Sequence, residues 1–169
     1  MQHTLSVLVE NQPGVLSRVT GLFSRRGYNI ESLAVGPTER PDRSRITIRV
    51  NAEEHSIDQV AKQLYKLIPV LKVNDLEAAE SVERELMMVR VTASPEVRAD
   101  LIALAAVFGA RVADVGPTSL MFECTEHPDR LHAFEELLKP YGIKETVRTG
   151  RIALRRTLPE GSRRRLQVA

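Results

Sequence analysis

The 169-residue chain is predicted to be an α+β protein made of two tandem copies of one βαββαβ unit. Val35-Gly36-Pro37-Thr38 recurs as Val115-Gly116-Pro117-Thr118, eighty residues later. Upstream, an offset of 82 lays Pro13 on Pro95, Val15 on Val97, Leu22 on Leu104 and Gly27 on Gly109. In both copies the apolar spacing switches between a period of two and a period near 3.6 in the same order, the mark of a duplicated supersecondary unit.

Thr4 to Val9 alternates and is rich in β-branched residues, so it reads as a strand. Asn11-Gln12-Pro13-Gly14 starts a helix: Asn can cap it, and Pro is tolerated in a first turn whose N–H groups are unpaired anyway. Val15, Val19, Leu22 and Phe23 then form one apolar stripe, and Gly27 ends the helix. Tyr28 to Val35 and Arg45 to Val50 read as strands on either side of a polar connection. Ile57, Val60, Ala61, Leu64, Leu67 and Ile68 mark a second amphipathic helix, stopped by Pro69. Val70 to Leu76 closes the copy as a strand.

The second copy repeats the order. Its strands are Glu85 to Thr92, Arg111 to Gly116, Ser119 to Cys124 and Ile143 to Arg148, and its helices are Val97 to Phe108 and Arg130 to Leu138. Each copy is expected to be a four-stranded antiparallel sheet with two helices on one face, the ferredoxin-like arrangement. The expected domains are residues 1–77 and 85–150, joined by a polar linker at 78–84 and followed by a basic tail at 151–169. A sheet with one face left uncovered by helices calls for a partner, so a homodimer is expected.

Composition narrows the function. The single cysteine, Cys124, excludes an internal disulfide framework and a cysteine-based structural zinc site. No basic leader precedes an apolar run, and no run reaches the roughly 18 residues a membrane span needs. A soluble cytoplasmic protein with no membrane partner is expected. Residues 151–169 carry six arginines against Glu160, so the body is slightly acidic despite a net charge of +2. Such an arm can attract nucleic acid, but no aromatics interleave with it, and the expected reading is a solvated terminus without a nucleic-acid partner.

Catalytic signatures do not appear. There is no GxGxxG, GxxxxGK[ST] or GxSxG segment. His3, His55, His127 and His132 lie in different elements, and His127 and His132 are off the spacing of helical zinc ligands, so no metal site is expected. Cys124 reads as a small core residue, and Glu53-Glu54 and Glu135-Glu136 as exposed carboxylates. One segment looks prepared for a ligand: the turn Glu10 to Leu16, taken to face Gly27 to Ile30 at the start of the next strand. A helix N-terminus offers free N–H groups and partial positive charge to a carboxylate. Gly14 permits close approach, Asn11 and Asn29 supply donors and acceptors, and Val15, Leu16 and Ile30 can line an apolar pocket. Together they describe a site for a small apolar amino acid, although Asn-x-Pro-Gly is also an ordinary cap and turn. In copy two Asn11 becomes Ala93, Gly14 becomes Glu96 and Asn29 becomes Arg111, an asymmetry of task that drift after duplication would also produce.

The run Leu5 to Asn11, Pro13-Gly14-Val15-Leu16-Ser17-Arg18-Val19, Gly21-Leu22-Phe23, Arg26 to Leu33 and Ser44 to Ile48 resembles the small regulatory subunits of acetolactate synthase (acetohydroxyacid synthase). Val82 to Leu86 and Thr149-Gly150 are similar too. The resemblance implies an ACT domain followed by an ACT-like domain, with no catalysis of its own. It also implies a catalytic large subunit as partner, which would hold thiamine diphosphate, magnesium and FAD; this chain would hold no cofactor. The implied effector is valine, with leucine and isoleucine left open, bound at a dimer interface by Asn11, Gly14, Val15 and Leu16 of one subunit and Asn29 and Ile30 of the other. The alternative is a stand-alone amino-acid-binding ACT regulator of transcription or of another enzyme; no helix-turn-helix stands outside the two copies. The surface meeting the catalytic subunit is left open among the loops 40–44 and 51–56, the second copy and the tail.

Overall fold

The computed structural model describes residues 2–51 and 54–157, residues 54–56 by their backbone alone. The expected features at Glu53, the side chains of Glu54 and His55, and the arginines beyond residue 157 lie outside the described residues. Two compact units emerge. Of the described residues, one comprises those up to Val82 together with 151–157, the other Glu83–Gly150.

The first unit runs β1 (Gln2–Glu10), α1 (Val15–Arg25), β2 (Ile30–Pro37), β3 (Arg43–Asn51), α2 (Glu54–Leu64) and β4 (Val70–Leu76). Its sheet has the order β2-β3-β1-β4, with every neighbouring pair antiparallel. Alternation sends Leu5, Val7 and Val9 of β1 and Ile46, Ile48 and Val50 of β3 to one side. There they meet Val15, Val19, Leu22 and Phe23 of α1 and Ile57, Val60 and Leu64 of α2 in one core. Fully burying such a side chain is worth about 1.5–3 kcal/mol, so this interface supplies most of the unit's stability. α2 is shorter than its apolar pattern predicts. Pro69 lacks an N–H and disfavours a helical residue before it, so the chain tightens after Leu64 through Leu67 N–H to the Leu64 carbonyl (3.0 Å), leaving Ile68 exposed.

The second unit contains most of β5 (Ser81–Thr92), then α3 (Arg98–Val107), β6 (Arg111–Val115), β7 (Ser119–Glu126), α4 (Pro128–Leu138) and β8 (Ile143–Arg148). The order β6-β7-β5-β8 repeats that of the first sheet. Met87, Val89, Val91, Leu120, Phe122 and Cys124 pack beneath Leu101, Leu131, Phe134 and Leu138. The duplication is visible in single hydrogen bonds. Gly27 N–H to Ser24 O and Tyr28 N–H to Phe23 O recur as Gly109 to Ala106 and Ala110 to Ala105. Likewise Glu10 N–H to Pro69 O recurs as Thr92 to Gly142.

Two expectations are corrected. The segment 78–84 is not an open linker: Ala78–Glu80 is a 3-10 turn and β5 begins at Ser81. Ser81, Glu83 and Glu85 are buried at alternate positions, continuing the inward row of Met87, Val89 and Val91. Period two was hidden because polar residues occupy the inward places. They are held by hydrogen bonds, Ser81 Oγ to the Glu77 carbonyl (2.9 Å) and Arg148 to Glu85 (2.9 Å). Nor do residues 151–157 begin a solvated tail. Ile152–Arg155 forms β9, which pairs with β5 and packs against β1 and β4 with Ala153 buried. Arg151 N–H donates to Ser32 Oγ at 2.8 Å, and Arg156 N–H to the Glu80 carbonyl at 2.7 Å. The sheet face of the first unit turned from its helices is therefore not bare; Thr4, Ser6 and Thr47 on it are buried.

Candidate functional site

The turn between β1 and α1 is shaped by Gly14. It precedes the first helical residue with φ +81°, a left-handed conformation that L side chains rarely adopt, and a Cβ built there would meet nothing within 4 Å. Glycine is needed here for the backbone angle, and its bare side opens outward. Asn11 does not cap α1, as the sequence had suggested: no side chain caps this helix. Asn11 turns instead to the β2–β3 loop, its Nδ2 donating to the Pro41 carbonyl (3.1 Å) and its N–H to the Asp42 carbonyl (2.9 Å). Asp42 is set in turn by Arg40, whose guanidinium holds that carboxyl below the ordinary carboxylate range. No acidic residue stands in the first turn of α1, so the positive end of the helix has no internal anion. Val15 is buried in the core, whereas Leu16 is 41% exposed beside the turn.

Asn29 and Ile30 are elsewhere. Ile30 pairs with Val50 and Gln2 with Asn51, while Glu10 pairs with Arg43 at the far end of β3. Seven residues of β3 separate these levels, roughly 23 Å at strand spacing. The expectation that Gly27 to Ile30 faces the first turn within one chain is thus corrected. The structure brings Asn11, Gly14, Val15 and Leu16 together and sets Asn29 and Ile30 at the opposite end of the same sheet. β2, which follows them, is an edge strand with one side unpaired, and Val35 on its helix-facing side is 49% exposed.

The second unit treats the corresponding turn differently. Ala93 N–H reaches the Thr118 carbonyl (2.9 Å), as Asn11 reaches Asp42. Here, however, Arg98 closes the turn, its guanidinium donating to the carbonyls of Ala93 (3.4 Å), Gly116 (2.7 Å) and Pro117. Glu96, at the place of Gly14, brings a carboxylate of its own, held below the ordinary range by Ser94 and a backbone amide. Arg111, at the place of Asn29, pairs with Glu123 at 2.8 Å.

The remaining candidates have structural employment. Cys124 is buried, donates to the Phe108 carbonyl at 3.4 Å, and burial pushes its thiol up, away from the reactive thiolate. His127 caps α4, accepting from Asp129 N–H at 3.3 Å, a role that its place before Pro128-Asp129 could have announced. His3 Nδ1 lies 2.9 Å from Asp75, and His132 lies 3.9 Å from Glu136 on α4. Glu135 is not idle on the surface: Arg148 bridges it to Glu85.

Residues 5–72 match the model of the acetohydroxyacid synthase small subunit-like ACT domain, and residues 84–157 that of the small subunit of acetolactate synthase. A probable acetolactate synthase small subunit of Archaeoglobus fulgidus is 52% identical over 154 residues, 91% of this chain and 96% of that one. The chain belongs to the acetolactate synthase small-subunit family. Another member, from Mycolicibacterium smegmatis, is 49% identical over 91% of each chain. The crystal structure of the Thermotoga maritima small subunit superposes with a TM-score of 0.86 at 36% identity, covering 92% of this chain and 98% of that one. Both ferredoxin-like halves are therefore family features, and the first half is the ACT domain. Among the described residues no helix is long and apolar enough to cross a membrane.

Proposed function

We propose that this chain is the regulatory subunit of an acetolactate synthase: it docks on a catalytic subunit, raises its activity, and withdraws that support when valine is bound between two copies of the chain. One observation carries the reading. The ligand-suited residues fall into two sets at opposite ends of the first sheet, roughly 23 Å apart, several times the length of a free amino acid. No single chain can close both around one valine. An antiparallel pairing of the free β2 edge with the β2 of a second copy would bring Asn29 and Ile30 of the partner to the end where Asn11 and Gly14 sit, and would cover Val35.

In such a site the valine carboxylate meets the N-terminus of α1, whose first turn carries no competing acid, and the ammonium meets amide oxygens of Asn11 or Asn29. The isopropyl group lies against Leu16 and Ile30. Asn11 also holds the β2–β3 loop through Pro41 and Asp42, so a ligand drawing on its amide changes how that loop is tied down. Inhibition then needs valine to prefer one state of the complex, commonly by about 1–3 kcal/mol. In this reading thiamine diphosphate, magnesium and FAD reside on the catalytic subunit, and the pair works in the cytoplasm.

The test is reconstitution. The chain titrated into its catalytic subunit should raise acetolactate formation to a plateau, and valine should lower that plateau. Sedimentation should give a dimer, and calorimetry one valine site or two per dimer. A monomer indifferent to valine, leucine and isoleucine would refute the proposal.

A further inference from the structure

Most arginines among the described residues are engaged within the chain. Arg40 and Arg43 face Asp42, Arg90 pairs with Glu145, Arg111 with Glu123, and Arg45 and Arg98 donate to a hydroxyl and to carbonyls. α1 gathers most of those that are not. Arg18, Arg25 and Arg26 all lie on it or at its C-terminus, all are exposed, and none has a hydrogen bond, ion pair or ring contact for its side chain among the described residues. Lys62 of α2 and Lys66 just after it are equally unengaged. A cation in a last helical turn complements the dipole, which accounts for Arg25 and Lys62. It does not account for Arg18, which stands in the first turn of α1, where the dipole opposes it.

Two of these cations, Arg26 and Lys62, border a concavity. A cavity of about 120 Å³ opens between α1 and α2, floored by Leu22 and Val60 and rimmed by Arg26, Lys62, Gln59 and Gln63. Arg18 and Arg26 flank Leu22 at four residues on either side, so they share its face of α1. The row from Arg18 to Arg26 runs eight residues, about 12 Å along the helix. The cavity has room for one side-chain head group, while the positive charge extends well past it. A small free anion would leave most of the row unanswered; an extended acidic segment would meet all of it.

We propose that the cleft between α1 and α2 takes an acidic segment of the catalytic subunit, one carboxylate seated at Arg26 and Lys62 and others lying along Arg18 and Lys66. This rests on the regulatory-subunit reading and adds the docking surface to it. Charge pairs of this kind steer association and make it salt-dependent.

The experiment titrates the full chain into the catalytic subunit and reads the concentration giving half-maximal activation, at low and high ionic strength. Arg26→Glu with Lys62→Glu should raise that concentration by at least about tenfold at low salt, and the difference should shrink at high salt. Lys72→Glu with Lys144→Glu, which changes net charge equally at exposed sites outside the cleft, should leave it near the parent value. An unchanged midpoint for the cleft variant overturns the docking surface while the regulatory reading stands. A parent chain that does not activate at all overturns the regulatory reading and the docking surface with it. If the double reversal fails to fold, Arg26→Gln with Lys62→Gln decides: a smaller shift in the same direction supports the surface, and none overturns it. Saturable binding of inorganic phosphate or malonate at the cleft without competition from the catalytic subunit would make it a metabolite site instead and refute the proposal.

Discussion

The two strand-to-helix turns of this molecule share a skeleton and differ in what occupies it. Both units tie the end of the first strand to the loop beyond the second through one backbone hydrogen bond, from Asn11 to Asp42 and from Ala93 to Thr118. In the second unit the space around that bond is filled from within: Arg98 takes three carbonyls, and Glu96 offers a carboxylate at the helix start. In the first unit the same region has a glycine with open space beside it, no acid in the first helical turn, and an asparagine amide shared with a loop. Stability explains the filled turn, since buried or half-buried carbonyls want donors. It does not explain the open one, and a pair of otherwise matched turns is a built-in control for a ligand.

The largest effect is expected from closing the open turn. Gly14→Asp imposes an L side chain at φ +81° and sets a negative charge where an effector carboxylate would lie. Backbone strain should cost about 1–3 kcal/mol of stability. Because a Cβ meets nothing there, the fold should survive, while valine affinity in calorimetry should fall by about a hundredfold or more, near 2.7 kcal/mol. Activation of the catalytic subunit should be kept. Next is the edge that the first unit leaves free: Val35→Lys should shift sedimentation toward monomer and weaken valine binding in step, whereas Val115→Lys on β6 should do neither. The filled turn should respond in stability only. Arg98→Ala strips a donor from three carbonyls and should lower stability by about 1–3 kcal/mol in denaturant unfolding, with valine binding unchanged.

The smallest effect is electrostatic. Glu96 is held below its ordinary range in the folded chain, so its contribution exists above the unfolded carboxyl range and is lost as pH falls through the folded value. Glu96→Gln should therefore be slightly less stable than the parent at neutral pH and indistinguishable from it in acid, as thermal unfolding across that range would register. Were Glu96→Gln to create valine affinity in the second unit, the contrast between the turns would rest on that one carboxylate.

Much of this was legible beforehand. Periodicity placed both copies of βαββαβ because Leu5, Val7 and Val9 or Val15, Val19 and Leu22 report burial directly. Legibility failed where burial and apolarity part company. β5 begins with Ser81 and Glu83 pointing inward, and β9 is four residues long with one buried alanine, too little pattern to separate from a charged terminus. The site residues were readable as chemistry, but not as geometry. Asn11 looked like a cap because Asn often is one; that its amide is spent on Pro41 depends on a loop thirty residues away. Likewise, the separation of Asn29 from Gly14 follows from strand register, which no local spacing encodes.

The return of β9 to the first unit has a consequence for synthesis. The strand that lies against β1 and β4 is synthesised only after all of Glu83–Gly150, so the amino-terminal half waits for nearly the last described residues before its sheet is covered. A chain released at Gly150 would carry every element of the second unit and lack the last strand of the first, so the half translated first is the half completed last.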